Sequence, residues 1–134
     1  MALANIKLGA VHGFAGQLGG MFPIPHGAVC ACLLPAVMEL NIRVLRERKL
    51  ESHLQKFDEV ARILTQNNSA IADDGVIWVQ EMVKKLKIPS LSDFELTTDS
   101  FPELIEKARN SSSMKGNPIE LDNKQLFEIL NKSL

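Results

Sequence analysis

The chain has 134 residues, of which 46% are hydrophobic and 23% are charged, and its formal net charge is −1. This length suits one domain, residues 1–134, and is too short for two ordinary domains. The near-neutral charge excludes a general attraction to nucleic acid or anionic lipid, and we find no apolar run of about 18 to 20 residues that would span a membrane. We therefore expect a cytoplasmic protein with neither nucleic acid nor a membrane as its partner.

Strand patterns are nearly absent from the chain, which has no tyrosine and no sustained alternation of apolar and polar residues. The sequence therefore predicts an all-α helical bundle. A first helix is predicted from Met1 to about Gln17, and it is apolar on nearly every side, as buried helices are. Gly9, Gly13 and Gly16 thin one of its faces and would let a neighbouring backbone or a ligand come close.

A Gly- and Pro-rich stretch, Gly19–Pro25, is predicted to end this helix, because proline restricts its own backbone and that of the preceding residue. A second helix begins at Pro25 or His26 and extends to about Asn41. The charged stretch Arg43–Glu51 is then expected to form a connection on the surface.

Two amphipathic helices are predicted next. Apolar residues recur at helical spacing from Ser52 onward, and the polar stretch 66–69 ends this segment. Asn68 or Ser69 then caps a further helix, which Pro89 stops. The predicted core face of this further helix consists of Ala72, Val76, Val79, Met82, Val83 and Leu86.

The last third of the chain is predicted to hold two short helices. Ser100 and Glu103 have the spacing of a capping box, which would start a helix that extends through Ala108. The stretch Asn110–Asn117 is predicted to be a loop. Asp122, with a glutamine three residues later, forms a second capping box at the start of the last helix.

The two cysteines, Cys30 and Cys32, are separated by one residue. At this spacing they project to different sides of a helix and make a poor disulfide, and the chain lacks the CxxC spacing of many metal or redox sites. We interpret both as small buried apolar residues.

Two of the three histidines, His12 and His26, lie at the ends of a Gly- and Pro-rich connection, and each is followed by glycine. A lone histidine on an apolar helix is more often a hydrogen-bonded core residue than a metal ligand. Here, however, the connection could fold one helix back on the other, so that both imidazoles face one ion. Two histidines are too few for a selective site, since zinc takes three or four ligands and non-haem iron adds a carboxylate. The missing ligands must come from elsewhere, or the site is absent.

Short motifs surround these histidines and continue to the end of the chain. They are Ala4-Asn5, Gly9–Gly13, Leu18–Gly20, Pro25–Gly27, Leu34-Pro35, Asn41, Ile88-Pro89, Leu91 and Asn117-Pro118. Together they closely resemble the metal-binding signature and the following sequence of iron-containing (group III) alcohol dehydrogenases.

The resemblance implies a two-domain enzyme. An N-terminal α/β domain would bind NAD or NADP, an all-helical C-terminal domain would hold a divalent metal, and the active site would lie between them. The metal, Fe²⁺ by family with Zn²⁺ also possible, would be held by one aspartate and three histidines, of which the last two match His12 and His26. The chain shows no Gly-rich phosphate-binding loop, so the resemblance implies that it is the last third of such an enzyme.

The implied reaction interconverts a small alcohol and an aldehyde or ketone by hydride transfer with nicotinamide, while the metal polarises the substrate oxygen. The chain departs from the family pattern at Gly16-Gln17, where many members have a histidine followed by proline, and at Ile119, where an arginine is common. These departures leave the substrate range open. A stand-alone helical interaction protein without catalysis is the alternative.

The expected protein partners are the missing N-terminal part of the enzyme or a second copy of the chain. Either would cover the apolar helix predicted at the start of the sequence, because that helix has Lys7 as its only formally charged side chain. The chain alone is therefore expected to self-associate. It is also expected to have no dehydrogenase activity and to leave NAD(P)H unbound.

Overall fold

A computed structural model of the chain describes residues 9–21, 25–94, 96–111, 114–117 and 119–134. These residues form α-helices and short 3₁₀ helices and contain no β-strand, which confirms the all-α prediction. The α-helices are α1 (Gly9–Met21), α2 (His26–Glu47), α3 (Glu51–Thr65), α4 (Ala72–Lys85), α5 (Phe101–Arg109) and α6 (Asn123–Lys132). The 3₁₀ helices are Leu91–Phe94, Thr98–Ser100 and Met114–Gly116.

The long helix α2 lies at the centre of the fold and contacts α1, α3, α4 and α6. It is longer than predicted, because the expected surface connection Arg43–Glu51 is helical as far as Glu47. Val44 and Leu45 are buried in the core, so this part of the helix gains burial energy despite its charged neighbours. The actual connection to α3 is residues 48–50.

Residues 27–47 of α2 are long and apolar enough to cross a membrane, judged by length and composition alone. The expectation that no segment would reach this length was therefore wrong. However, 61% of its most apolar stretch is buried inside the fold. This burial is what a core helix requires, since its neighbours cover it on several sides.

Helix α1 continues through Gly19 and Gly20 to Met21, so the predicted end of this helix was wrong at those glycines. Glycine weakens a helix by only about 1 kcal/mol relative to alanine, and burial of a neighbouring Leu18 offsets that cost. The beginning of the predicted first helix, residues 1–8, lies outside the described residues. Four apolar side chains of α1 are buried within the chain itself, namely Val11, Phe14, Ala15 and Leu18.

Helices α3 and α4 pack closely against each other, and Gln66 ends α3 in a left-handed conformation with φ of 55°. The predicted cap of α4 was wrong, because the first N–H groups of the helix are bound by Asp74 and Asp58 and not by Asn68 or Ser69. The Asp74 carboxylate accepts a hydrogen bond from the Ile71 N–H at 3.0 Å, and Asp58 accepts one from the Ala72 N–H at 2.7 Å.

The predicted core face of α4 is confirmed at Ala72, Val76 and Val79, which are buried. Met82 and Val83 are half-buried. Leu86 is 65% exposed and lies just beyond the last turn of the helix, so its assignment to the core was wrong.

The two predicted capping boxes have different outcomes. The helix predicted after Ser100 is confirmed, since α5 begins at the fully buried Phe101, but Ser100 itself makes no capping hydrogen bond. At α6 the box is formed: Asp122 accepts from the Gln125 N–H at 2.7 Å, and the Gln125 side chain accepts from the Asp122 N–H at 2.9 Å. This second prediction is confirmed.

Both cysteines are free, which confirms that they do not form a disulfide. Cys32 is buried and Cys30 is half-buried. Burial raises the pKa of the Cys32 thiol to about 11. The predicted role as small core residues is therefore confirmed for Cys32 and holds in part for Cys30.

Candidate metal centre

The structure places His12 within α1 and His26 at the first residue of α2. These two helices pack against each other, as the sequence predicts for helices that carry ligands of one ion. The side chains of both histidines lie outside the described residues. A shared metal site at His12 and His26 thus stays a prediction. The structure shows how the two helices that contain these histidines are packed in the fold.

The position of α1 is fixed by apolar packing on both sides of His12. Val11 precedes it and Phe14 follows two residues later, and both side chains are buried. Besides α2, the helix contacts α5 and the short 3₁₀ helix Met114–Gly116. Helix α1 is therefore packed against one helix that follows it directly in the sequence and against two elements from the last third of the chain.

Gly13, the neighbour of His12, lies directly under residues that follow α5. A Cβ atom built on Gly13 would lie 3.0 Å from Met114 Cε and 3.3 Å from Ser111 Oγ. Contacts this short show that the backbone of α1 approaches these residues more closely than most side chains allow. The atoms that come close at Gly13 belong to side chains, whereas the prediction for this helix was a neighbouring backbone or a ligand.

A different set of glycines faces open space. A Cβ atom built at any of these positions would meet no atom within 4 Å among the described neighbours, and each of the residues is exposed: Gly16, Gly19, Gly20 and Gly27. They belong to the same two helices as the histidines. We call them the open glycine surface.

Residues 114–117 form a single tight turn, which we call the 114–117 turn. The Asn117 N–H donates to the Met114 carbonyl at 3.1 Å. Ser111 ties this turn to the end of α5, since its hydroxyl donates to the Ala108 carbonyl at 2.6 Å and accepts from the Met114 N–H at 3.2 Å. The turn that contacts Gly13 is thus a hydrogen-bonded unit.

Asn41 is fully buried in α2, with none of its surface exposed. Its side-chain nitrogen donates to the Val37 carbonyl at 2.8 Å, and its side-chain oxygen accepts from Asn117 Nδ2 at 2.7 Å. Asn117 Nδ2 also donates to the Ile119 carbonyl at 2.7 Å. In the sequence, Asn41 and Asn117 stood out only as part of the family pattern, although an asparagine in an apolar helix indicates a buried hydrogen-bond partner.

An ion-pair network joins α2 to α6. Arg43 pairs with Glu128 at 2.8 Å, and Lys132 pairs with Glu39 at 2.6 Å. The Arg43 hydrogen bond lowers the pKa of the Glu128 carboxyl. This network holds α6 on α2 and includes no described residue of α1, the helix that contains His12.

The donor chemistry of the chain fits a partial metal site. Among the residues that the structure describes, no group of three or more histidine, cysteine or acidic side chains could hold a metal ion. Two neutral imidazoles are suitable ligands for iron or zinc, but a complete site of either kind needs further donors. His12 and His26 are therefore compatible with a shared centre that has further ligands.

Comparison with known proteins gives one consistent result. The profile of the Fe-containing alcohol dehydrogenase family, C-terminal, matches residues 1–134. The chain is 29% identical to 1,3-propanediol dehydrogenase of Citrobacter freundii over 99% of this chain and 34% of that protein. It is 28% identical to NADPH-dependent butanol dehydrogenase of Clostridium saccharobutylicum over 96% of this chain and 33% of that protein.

A solved structure of similar fold is the alcohol dehydrogenase from Oenococcus oeni, with a TM-score of 0.77 and 26% identity. The match covers 92% of this chain and 32% of that structure. The chain thus spans about a third of the length of the relatives that it matches.

Proposed function

Because the chain belongs to the Fe-containing alcohol dehydrogenase family, whose C-terminal profile covers all of it, we propose that it forms part of an NAD(P)-dependent alcohol dehydrogenase. The enzyme would interconvert a small alcohol and its aldehyde or ketone. The carrying observation is that the full-length family match includes both His12 and His26, on helices that contact each other. The comparisons do not favour the alternative of a stand-alone interaction protein.

His12 and His26 supply two neutral imidazole ligands to a divalent metal, with Fe²⁺ as the family's metal. The bound metal provides Lewis-acid chemistry at the substrate oxygen. One aspartate and one further histidine would complete the ligand set from outside this chain. Each of the two imidazoles also needs an acceptor for its second N–H, since that bond fixes the ring and its tautomer.

The helices α1 and α2 provide one wall of the substrate cleft. The open glycine surface leaves space beside both histidine-bearing helices, which suits the approach of substrate and of the nicotinamide-binding domain. NAD or NADP would be bound mainly by that domain, because the chain has no Gly-rich phosphate-binding loop. Within the enzyme, this chain contributes two metal ligands and one wall of the substrate cleft.

A chimeric enzyme tests this proposal. The part of the Citrobacter freundii 1,3-propanediol dehydrogenase that precedes the matched region would be joined to this chain and loaded with Fe²⁺. We expect NAD(P)⁺-dependent oxidation of 1,3-propanediol or another short alcohol. His12→Ala and His26→Ala should each reduce kcat/KM by at least about 100-fold and lower the iron content, because each removes a metal ligand.

The third histidine is the matched control. His53 lies on α3, where Ser52 Oγ is 3.4 Å from its Nδ1. His53→Ala should leave kcat/KM and iron content unchanged. The proposal is overturned if the chimera binds iron and NAD(P)H but oxidises no alcohol, or if its activity survives both the His12→Ala and the His26→Ala substitution.

A further inference from the structure

The contact between Gly13 and the 114–117 turn lies one residue from the proposed ligand His12. A Cβ atom built on residue 13 would lie 3.0 Å from Met114 Cε and 3.3 Å from Ser111 Oγ, so these two residues pack tightly against the backbone of α1 there. A shift of the turn towards or away from α1 would thus change the contact at the residue that adjoins His12. This geometry couples the position of the turn to the position of the helix.

The 114–117 turn is anchored at its other end to α2. Asn117 Nδ2 donates to Asn41 Oδ1 at 2.7 Å, and Asn41 is held in turn by the Val37 carbonyl at 2.8 Å. Because Asn41 is fully buried, its side-chain oxygen has no access to water as a substitute partner. The asparagine pair therefore fixes where the turn sits on α2.

These two contacts form a continuous connection from α2 through the turn to α1. It joins the helix that begins with His26 to the helix that contains His12, in addition to the direct packing of α1 on α2. We propose that Asn117 is a positioning residue of the metal site: through Asn41 and Gly13 it holds α1 in the register on α2 that lets His12 and His26 share one ion. This role rests on the proposed function.

A purely structural role for Asn117 predicts something different. In that case the loss of Asn117 would lower the stability of the whole fold. The metal affinity would then fall by the same amount as in any other variant that is equally destabilised. Gly75 offers the comparison. A Cβ built there would lie 3.1 Å from Ala61 Cβ, which is as tight as the contact at Gly13, but at the α3–α4 contact and away from α1.

The experiment measures the Kd for Co²⁺ and the thermal unfolding midpoint of the chimeric enzyme, in which the remaining metal ligands are present; below, the original chain means this chimera with no substitution in residues 1–134. Asn117→Ala and Gly13→Ala should each weaken Co²⁺ binding by about 10-fold, the usual effect of losing a group that orients a metal ligand. Gly75→Ala should lower the unfolding midpoint but leave the Kd for Co²⁺ within about twofold of the original chain, because its contact is remote from the ligands.

Three results separate the possible failures. If Asn117→Ala binds Co²⁺ like the original chain, or if Gly75→Ala weakens binding equally, the positioning role is wrong and the metal site stands. If the original chain binds Co²⁺ no better than its His12→Ala variant, the metal site itself is wrong, and the positioning role is overturned with it.

Asn117→Ala could fail to fold, and Met114→Ala then provides the second variant. It removes Met114 Cε, the atom nearest to a Cβ built on Gly13, and leaves the asparagine pair in place; the Met114 side chain is half-buried. The positioning role requires weaker Co²⁺ binding in Met114→Ala as well. An unchanged Kd in a folded Met114→Ala chain would overturn it.

Discussion

Arg43 of α2 and Glu128 of α6 form an ion pair, with 2.8 Å between Arg43 Nη2 and Glu128 Oε2. A second contact, from Arg43 Nη1 to Glu128 Oε1 at 3.0 Å, makes the pair two-pronged. The hydrogen bond from Arg43 is the main reason that the pKa of Glu128 lies below its usual range. Since the two side chains are 41% and 35% exposed, water and salt screen the attraction.

Glu128→Gln is expected to lower the free energy of unfolding near neutral pH by about 0.5 to 1 kcal/mol, the upper part of the range for exposed ion pairs. A carboxyl whose pKa is lowered by folding adds stability above its unfolded pKa, and this stability is lost as the pH falls through the folded pKa. The difference between Glu128→Gln and the original chain should therefore vanish in acid. Urea unfolding across the pH range measures it.

The control for this ion pair is Glu59→Gln, at an exposed position of α3 that forms no ion pair with any other described residue. It should change the unfolding free energy by less than about 0.5 kcal/mol at any pH. Equal effects at Glu59 and Glu128 would mean that net charge, and not the pairing with Arg43, sets the pH dependence.

Glycine-to-alanine substitutions should have opposite signs at two positions. Gly75→Ala forces a Cβ to 3.1 Å from Ala61 Cβ, so we expect a loss of about 1 to 2 kcal/mol from overpacking. Gly19→Ala, in α1, would place a Cβ with no described atom within 4 Å, so it should raise stability by about 0.5 to 1 kcal/mol through helix propensity. Chemical denaturation of both variants measures the two changes in unfolding free energy. If both variants are stabilised, or both are destabilised, the packing described at one of these glycines is wrong.

The two predicted capping boxes give a third comparison. Asp122 caps α6 with a hydrogen bond of 2.7 Å, so Asp122→Ala should cost about 1 kcal/mol of unfolding free energy. Ser100 makes no such bond at the start of α5, and Ser100→Ala should be nearly neutral. A loss at Ser100 that matches the loss at Asp122 would show that Ser100 does cap α5.

These capping boxes show what the sequence could and could not predict. The spacing at Ser100 and at Asp122 is the same, and local patterns cannot distinguish them. At Ser100 the neighbouring Phe101 is fully buried and a 3₁₀ turn precedes the helix. Tertiary burial therefore overrides the local capping preference there, whereas at Asp122 the two agree.

Helix α2 gives the same lesson over a longer range. Its apolar first half made the helix predictable, but the charged residues from Arg43 onward looked like a surface connection. The structure pairs Arg43 with Glu128, 85 residues away in sequence, and buries Leu45. Neither fact is visible in the local pattern. The proposed ligands His12 and His26 were suggested first by their positions at the two ends of a Gly- and Pro-rich connection and then by the family motif, and their side chains lie outside the described residues.

Cys32 should resist alkylation in the folded chain at mildly alkaline pH. Burial raises the pKa of its thiol to about 11, so almost no reactive thiolate is present. Iodoacetamide labelling followed by mass spectrometry should modify Cys30 before Cys32, because Cys30 is half-buried. In denaturant both cysteines should react at similar rates. Fast native labelling of Cys32 would contradict its place in the core.

The chain on its own should leave NADH unbound and should oxidise no alcohol. It spans about a third of the dehydrogenases that it resembles and has no Gly-rich phosphate-binding loop. Titration of NADH fluorescence with the purified chain is the measurement, with the complete chimeric enzyme as a positive control. A saturable increase in fluorescence with the chain alone would mean that a nucleotide site exists within these 134 residues.

The central claim is that His12 and His26 bind one divalent ion, and nitrogen NMR of the imidazole rings during a Zn²⁺ titration tests it most directly. In the chimeric enzyme, where the other two ligands are present, we expect the ring nitrogens of His12 and His26 to shift together and to saturate at the same Zn²⁺ concentration, while those of His53 on α3 do not shift. Independent titration of His12 and His26, or a saturable shift at His53 in their place, would contradict it.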